Sequence, residues 1–125
     1  MKILGIDDNQ DLLDLSELAL TSVGHEFSCA DNGKEGLELI KKQQFDVVLL
    51  DLSMPDFSGL DVLDGLEKDD IINKQKVIVF SASTPTEEEQ KSLLQKGVHS
   101  ILSKPLDPDK LIEHIEKISS QKMEV

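Results

Sequence analysis

The chain has 125 residues, of which 38% are hydrophobic and 30% charged, and its formal net charge is −12. That length fits one domain, and that balance belongs to a chain able to bury a core rather than to a disordered one. The acidity argues against direct contact with nucleic acid or an anionic membrane, whose phosphates would be repelled. All 13 basic residues are Lys, so a phosphate must be met by ammonium groups, hydroxyls, backbone N–H groups or a metal rather than by a guanidinium fork. Cys29 is the only cysteine. It can form no disulfide within the chain, which suits a reducing cytoplasm, and its short apolar setting predicts a small buried residue. The N-terminus MKILGIDD meets two acids before a signal-peptide core could form. No run approaches the roughly 20 apolar residues that span a bilayer, so no membrane insertion is expected.

Short apolar runs alternate with longer amphipathic segments. Residues 3–6 read as a first strand, followed by a helix over 10–23 that Asn9 can cap and Gly24 can end. Residues 26–29 are a second strand and 33–42 a second helix. The third strand, 47–50, reads VVLL, apolar throughout as expected of a strand covered on both faces. A helix over 58–68 follows. The fourth strand, 77–80, reads VIVF. Thr84-Pro85-Thr86 and three Glu then open a helix over 86–96, where acids favour the dipole, and Gly97 closes it. Residues 100–102 form the fifth strand. Asp107 can cap the last helix, 108–119, with Pro108 at its first position and Leu111, Ile112, Ile115 and Ile118 on one face. Five βα units predict a three-layer, doubly wound α/β sandwich. Residues 1–119 make one domain, 120–125 are expected to be a polar tail, and no effector domain is expected.

In such a sheet, ligands bind beyond the carboxyl ends of the strands. Asp7 and Asp8 follow the first strand, Asp51 the third, Ser81 the fourth, and Ser103, Lys104 and Pro105 the fifth. Three carboxylates brought together repel one another unless a cation bridges them. An all-oxygen cluster without His or Cys suits Mg²⁺, or Mn²⁺. A carboxylate can be a nucleophile toward phosphorus, and Lys104 and Ser81 supply a charge and a hydroxyl for phosphoryl oxygens. The set fits phosphoryl transfer better than acyl or hydride transfer. Asp56, Asp61 and Asp64 fall outside the strand-end pattern and read as surface. His25, His99 and His114 are scattered, without ligand or triad spacing.

With these motifs in place, the sequence resembles the CheY-like receiver domains of two-component response regulators. The likeness covers residues 1–119 and rests on the ordered set: Asp7-Asp8, LLDLSMPDFSGL around Asp51, Ser81-Ala82, and Ser103-Lys104-Pro105. The resemblance implies a parallel sheet in the order 2-1-3-4-5. It implies that Asp51 is the phosphoacceptor and that Mg²⁺ is held by Asp8, Asp51 and the backbone carbonyl of Ser53, with Asp7 acting mainly through bound water. It assigns Ser81 and Lys104 to the phosphoryl oxygens and makes the Lys104-Pro105 bond cis. The implied donor is a phosphohistidine on a sensor histidine kinase or a phosphotransfer protein. The output would be a contact with a downstream protein or onward relay of the phosphoryl group, without steady turnover of an external substrate. Ile101 departs from the family, which usually has Tyr or Phe three residues before the Lys. In the family the first helix commonly docks kinases. Here its apolar arc is wider than a core stripe requires, which makes Leu12 or Leu13 a candidate contact. The competing readings are a metal-dependent phosphatase with an Asp nucleophile, a flavodoxin-like flavin binder, and a receiver-like docking module that is not phosphorylated.

Overall fold

The computed structural model describes residues 1–52, 54, 58–81, 86–104 and 107–123, with the side chains of 73, 81 and 119–123 outside the description. Five strands, Lys2–Ile6 (β1), Glu26–Ala30 (β2), Val47–Asp51 (β3), Lys76–Ser81 (β4) and Ser100–Ser103 (β5), form one parallel sheet in the order β2-β1-β3-β4-β5. The helices are Gln10–Thr21 (α1), Gly33–Lys42 (α2), Gly59–Lys68 (α3), Glu87–Lys96 (α4) and Pro108–Met123 (α5). One 3₁₀ turn, Ile72–Lys74, precedes β4.

The period-2 alternation of the central strands splits the core in two. Val48, Leu50, Val77 and Val79 face one way and pack with Ile40 of α2, Val62, Leu63 and Leu66 of α3, and Leu93 of α4. Val47, Leu49, Ile78 and Phe80 face the other way and pack with Leu20 of α1 and Leu111, Ile115 and Ile118 of α5. These are the three expected layers. β3 is buried along its whole length, which explains why it reads as an unbroken apolar run up to Asp51.

Local chemistry sets the helix ends. Asn9 accepts from the Leu12 amide and Asn32 from the Glu35 amide at the starts of α1 and α2. Ser58 with Asp61, and Thr86 with Glu89, form reciprocal capping boxes on α3 and α4. So Asp61 has a capping role beyond its surface position. Asp107 accepts from the Asp109 amide at 3.0 Å and opens α5. Gly97 closes α4 in the left-handed region at φ 108°, where a side chain would be strained.

Three expectations change. α1 ends at Thr21, before the anticipated Val23. α5 runs to Met123, through residues assigned to a polar tail. The stretch SSQKM contains neither Gly nor Pro, so nothing in it stops the helix. Cys29 is exposed rather than buried. It lies on β2, an edge strand paired on one side only, and an edge strand covers fewer of its side chains.

The core makes a quantitative prediction. Leu66→Ala, at a position with no exposed surface, should lower the unfolding free energy by about 2–5 kcal/mol. Leu18→Ala, where the side chain is 70% exposed, should change it by no more than about 0.5 kcal/mol. Denaturant titration of both variants checks the contrast.

Candidate functional site

Register brings the acids together. Ile6 pairs with Leu50, and Gly5 with Leu49, so one further step along each strand places Asp7 level with Asp51. Leu49 and Asp51 share a parity, as do Gly5 and Asp7, so both carboxylates leave the sheet on the side that carries α1 and α5. Asp7 and Asp51 are 4% and 2% exposed, whereas Asp8 faces solvent. One carboxylate oxygen from each of Asp7, Asp8 and Asp51 lies within 4.8 Å of the others.

Lys104 reaches the cluster from the end of β5. Its Nζ is 3.2 Å from Asp7 Oδ2 and 3.4 Å from Asp51 Oδ1. The backbone N–H of Asn9 donates to Asp7 Oδ1 at 2.9 Å, an Asx-type turn that points Asp7 inward as the chain enters α1. The residues alone did not single out this amide, although Asp followed two positions later by a helix-capping Asn is the pattern that announces it.

Gly59 fixes the other wall. A methyl group there would collide with the Asp51 carbonyl oxygen and lie 2.8 Å from the Leu52 Cα. The start of α3 therefore presses directly on the backbone that carries Asp51, and only Gly permits that approach.

Of the residues anticipated for the site, Asp7, Asp8, Asp51 and Lys104 converge. Ser81 ends β4 with its backbone paired to Ser103, and its side chain lies outside the described residues. Ser53 and Pro105 also lie outside them. The histidines are less scattered than expected. His99 Nδ1 and His114 Nε2 both hydrogen-bond the Ser100 hydroxyl, at 3.1 and 2.7 Å, and this network ties the start of β5 to α5.

The family model described as the response regulator receiver domain matches residues 3–116. The chain belongs to the response regulator receiver family. It is 33% identical over 121 residues to the transcriptional regulatory protein GlrR of Escherichia coli K12, covering 95% of this chain and 26% of that protein. It spans between a quarter and a half of the length of the curated relatives that it matches. The receiver domain of the Francisella response regulator 1452 superposes with a TM-score of 0.86 at 30% identity, over 97% of this chain and 98% of that one. The Thermotoga maritima response regulator TrrA, whose structure is a complex with Mg²⁺ and BeF, superposes with a TM-score of 0.76 at 28% identity, over 94% and 97% of the two chains. Membership of this family fits a phosphorylation-dependent switch in two-component signalling.

In this receiver, burial pushes the Asp7 carboxyl above its ordinary range. The Asn9 amide opposes the shift, the charge of Asp51 adds to it, and Lys104 opposes it. A lone buried pair of carboxylates would be far more costly, so Lys104 keeps two anions tolerable in a small space. The donor set is all carboxylate and open on the Asp8 side, which suits a hard divalent ion that retains some waters.

The shift has a definite sign. Asp7 holds its proton more tightly folded than unfolded. Stability therefore falls as pH rises from its ordinary value to its raised one, and the cost persists at neutral pH. In EDTA at pH 7, Asp7→Asn should melt higher than wild type, and the gap should close as pH falls below the carboxylate range. Millimolar Mg²⁺ should raise the melting temperature of wild type more than that of the variant. Calorimetry in EDTA and in Mg²⁺ measures both; a variant that melts lower in EDTA would contradict the assignment.

Proposed function

We propose that Asp51 is the phosphoacceptor of this receiver, and that it takes the group from a phosphohistidine on a sensor histidine kinase or a phosphotransfer protein. The observation that carries the reading is the convergence of Asp7, Asp8 and Lys104 on Asp51. A carboxylate oxygen of Asp51 attacks phosphorus, the P–N bond to the donor imidazole breaks, and that nitrogen leaves with the bonding electron pair. The product is an acyl phosphate on Asp51. Lys104 Nζ, 3.4 Å from Asp51, holds positive charge where the incoming oxygens arrive. Asp7 and Asp8, with Asp51 and the Ser53 carbonyl, would hold Mg²⁺, or Mn²⁺ in its place. That ion would offset the repulsion between an anionic nucleophile and an anionic phosphoryl group. Ser81 is assigned to the phosphoryl oxygens through its hydroxyl, and the Lys104-Pro105 bond is read as cis, as in the family.

The receiver then acts through a protein contact or by passing the phosphoryl group on, in the cytoplasm, without steady turnover of an external substrate. The proposed domain takes in the whole of α5, to Met123 rather than to residue 119. An exposed thiol at Cys29 suits a reducing compartment, and no helix among the described residues is long and apolar enough to cross a membrane. Ile101 is half-buried and packs on the core cluster shared with α2, α3 and α4. A β-branched side chain held there is stiff, so the read-out is placed in the backbone around the end of β4 rather than in a rotating ring.

The docking face on α1 follows from exposure. Leu13 is 4% exposed and points into the protein, so it is withdrawn as a contact. Leu12 is half-buried. Leu15 and Leu18 are exposed and follow Asp11 at i+4 and i+7, forming one stripe that leads away from the site.

Acetyl phosphate with Mg²⁺ should add one phosphoryl mass to wild type and none to Asp51→Asn, read by intact mass spectrometry. Equal labelling of the variant would overturn the acceptor. Leu18→Ala should retain labelling by acetyl phosphate while slowing transfer from a cognate phosphohistidine protein by about tenfold, the size of a contact worth over 1 kcal/mol.

A further inference from the structure

The opposite pole of the sheet holds a cavity that the signalling reaction leaves unused. It has a volume of about 520 Å³ and lies between the end of α2 and the segment that leads from α3 into β4. The wall on the α2 side carries Ile40, Lys41 and Lys42, and the facing wall carries Asp69, Ile71 and Lys74. Ile40 and Gln75 are buried in the floor, and Gln75 Nε2 donates to the Ile71 and Ile72 carbonyls at 2.7 and 3.0 Å, which ties the second wall in place. That wall turns at Asp70, which sits in the left-handed region at φ 57°. Both walls are therefore built structure rather than loose surface.

The charge of the cavity runs against the molecule. Three Lys and one Asp line it, so its lining carries 3 − 1 = +2 on a chain of net charge −12. Lys41 is committed to Asp69 at 2.9 Å. Lys42 and Lys74 have no ion-pair partner among the described residues and are exposed at the rim. Lys41 and Lys42 sit in the last turn of α2, where the helix dipole favours cations. That accounts for two of the three ammonium groups, but not for Lys74 on the facing wall, nor for the apolar side chains of Ile40 and Ile71 beside them.

We infer that this cavity is a binding site for a small amphipathic anion, with its apolar part against Ile40 and Ile71 and its negative group between Lys42 and Lys74. The volume lies within the ~300–1,000 Å³ typical of small-ligand sites, which pair an apolar floor with a few placed polar groups. Two flexible ammonium groups without a guanidinium fork match one negative group as point charges and set no planar geometry for it. The cavity lies at the amino ends of β3 and β4, away from Asp51 at their carboxyl ends, so an occupant leaves the acidic site open. The assignment of Asp51 and this inference stand or fall separately.

The test is an amide NMR titration of the full chain with 8-anilinonaphthalene-1-sulfonate, alongside the uncharged N-phenyl-1-naphthylamine. The sulfonate should give saturable shifts centred on residues 40–44 and 71–75, and the uncharged analogue should bind there several-fold more weakly. Lys42→Gln/Lys74→Gln, both at exposed positions, should melt like wild type and bind the sulfonate roughly tenfold more weakly. Three results would overturn the proposal. One is no saturable shift at millimolar sulfonate. Another is shifts confined to the exposed Leu15 and Leu18 stripe of α1. The third is equal affinity in wild type and the double variant.

Discussion

Lys104 Nζ lies between Asp7 and Asp51, at 3.2 and 3.4 Å, where both carboxylates are almost wholly buried. The carboxyl end of the sheet depends on that contact. Two buried anions side by side repel strongly, and the fold tolerates them because one ammonium is shared and the Asn9 amide binds the remaining Asp7 oxygen. The sheet order makes the contact possible. With β3 central and β1 and β4 beside it, Asp7 and Asp51 come from neighbouring strands, and β5 brings Lys104 in from beyond β4. The acidic cluster is thus a consequence of topology and register, and its charge is what a cation or a phosphoryl group would redistribute.

That redistribution is local, and the core around it is stiff. β3 is buried from end to end, and Gly59 brings α3 against the Asp51 carbonyl. A change of charge at Asp51 therefore has little freedom to spread through β3 itself. The read-out proposed here runs instead through the end of β4. There Ser81 pairs with Ser103 of β5, and β5 in turn joins α5 through the Ser100–His114 hydrogen bond. Ile101, between them, supplies bulk but no swinging ring.

Much of this was legible before any coordinates. VVLL and VIVF read as strands covered on both faces, and the polar residues after each strand named Asp7, Asp8, Asp51 and Lys104. Capping chemistry placed the starts of α1 and α5 through Asn9 and Asp107, and the acids after Thr84-Pro85-Thr86 placed that of α4 through the dipole. The misses have physical reasons. Cys29 has apolar neighbours, but its strand is an edge, and edge position is a tertiary property. The extra length of α5 reflects the absence of a stop signal, which a polar composition conceals. The inward turn of Leu13 depends on the rotation of α1 against the sheet, which its wide apolar arc does not fix. The meeting of His99 and His114 joins two elements that sequence distance keeps apart, and so does the cavity between α2 and the 3₁₀ turn.

The sharing of Lys104 between two buried carboxylates is tested most directly by the stability of Lys104→Met at pH 7, measured by denaturant titration in EDTA and again in Mg²⁺. The account predicts that the metal-free variant loses about 2 kcal/mol or more, because removing one partner leaves buried charge uncompensated. It also predicts that Mg²⁺ restores most of the loss. A metal-free variant as stable as wild type, or more stable, would contradict it.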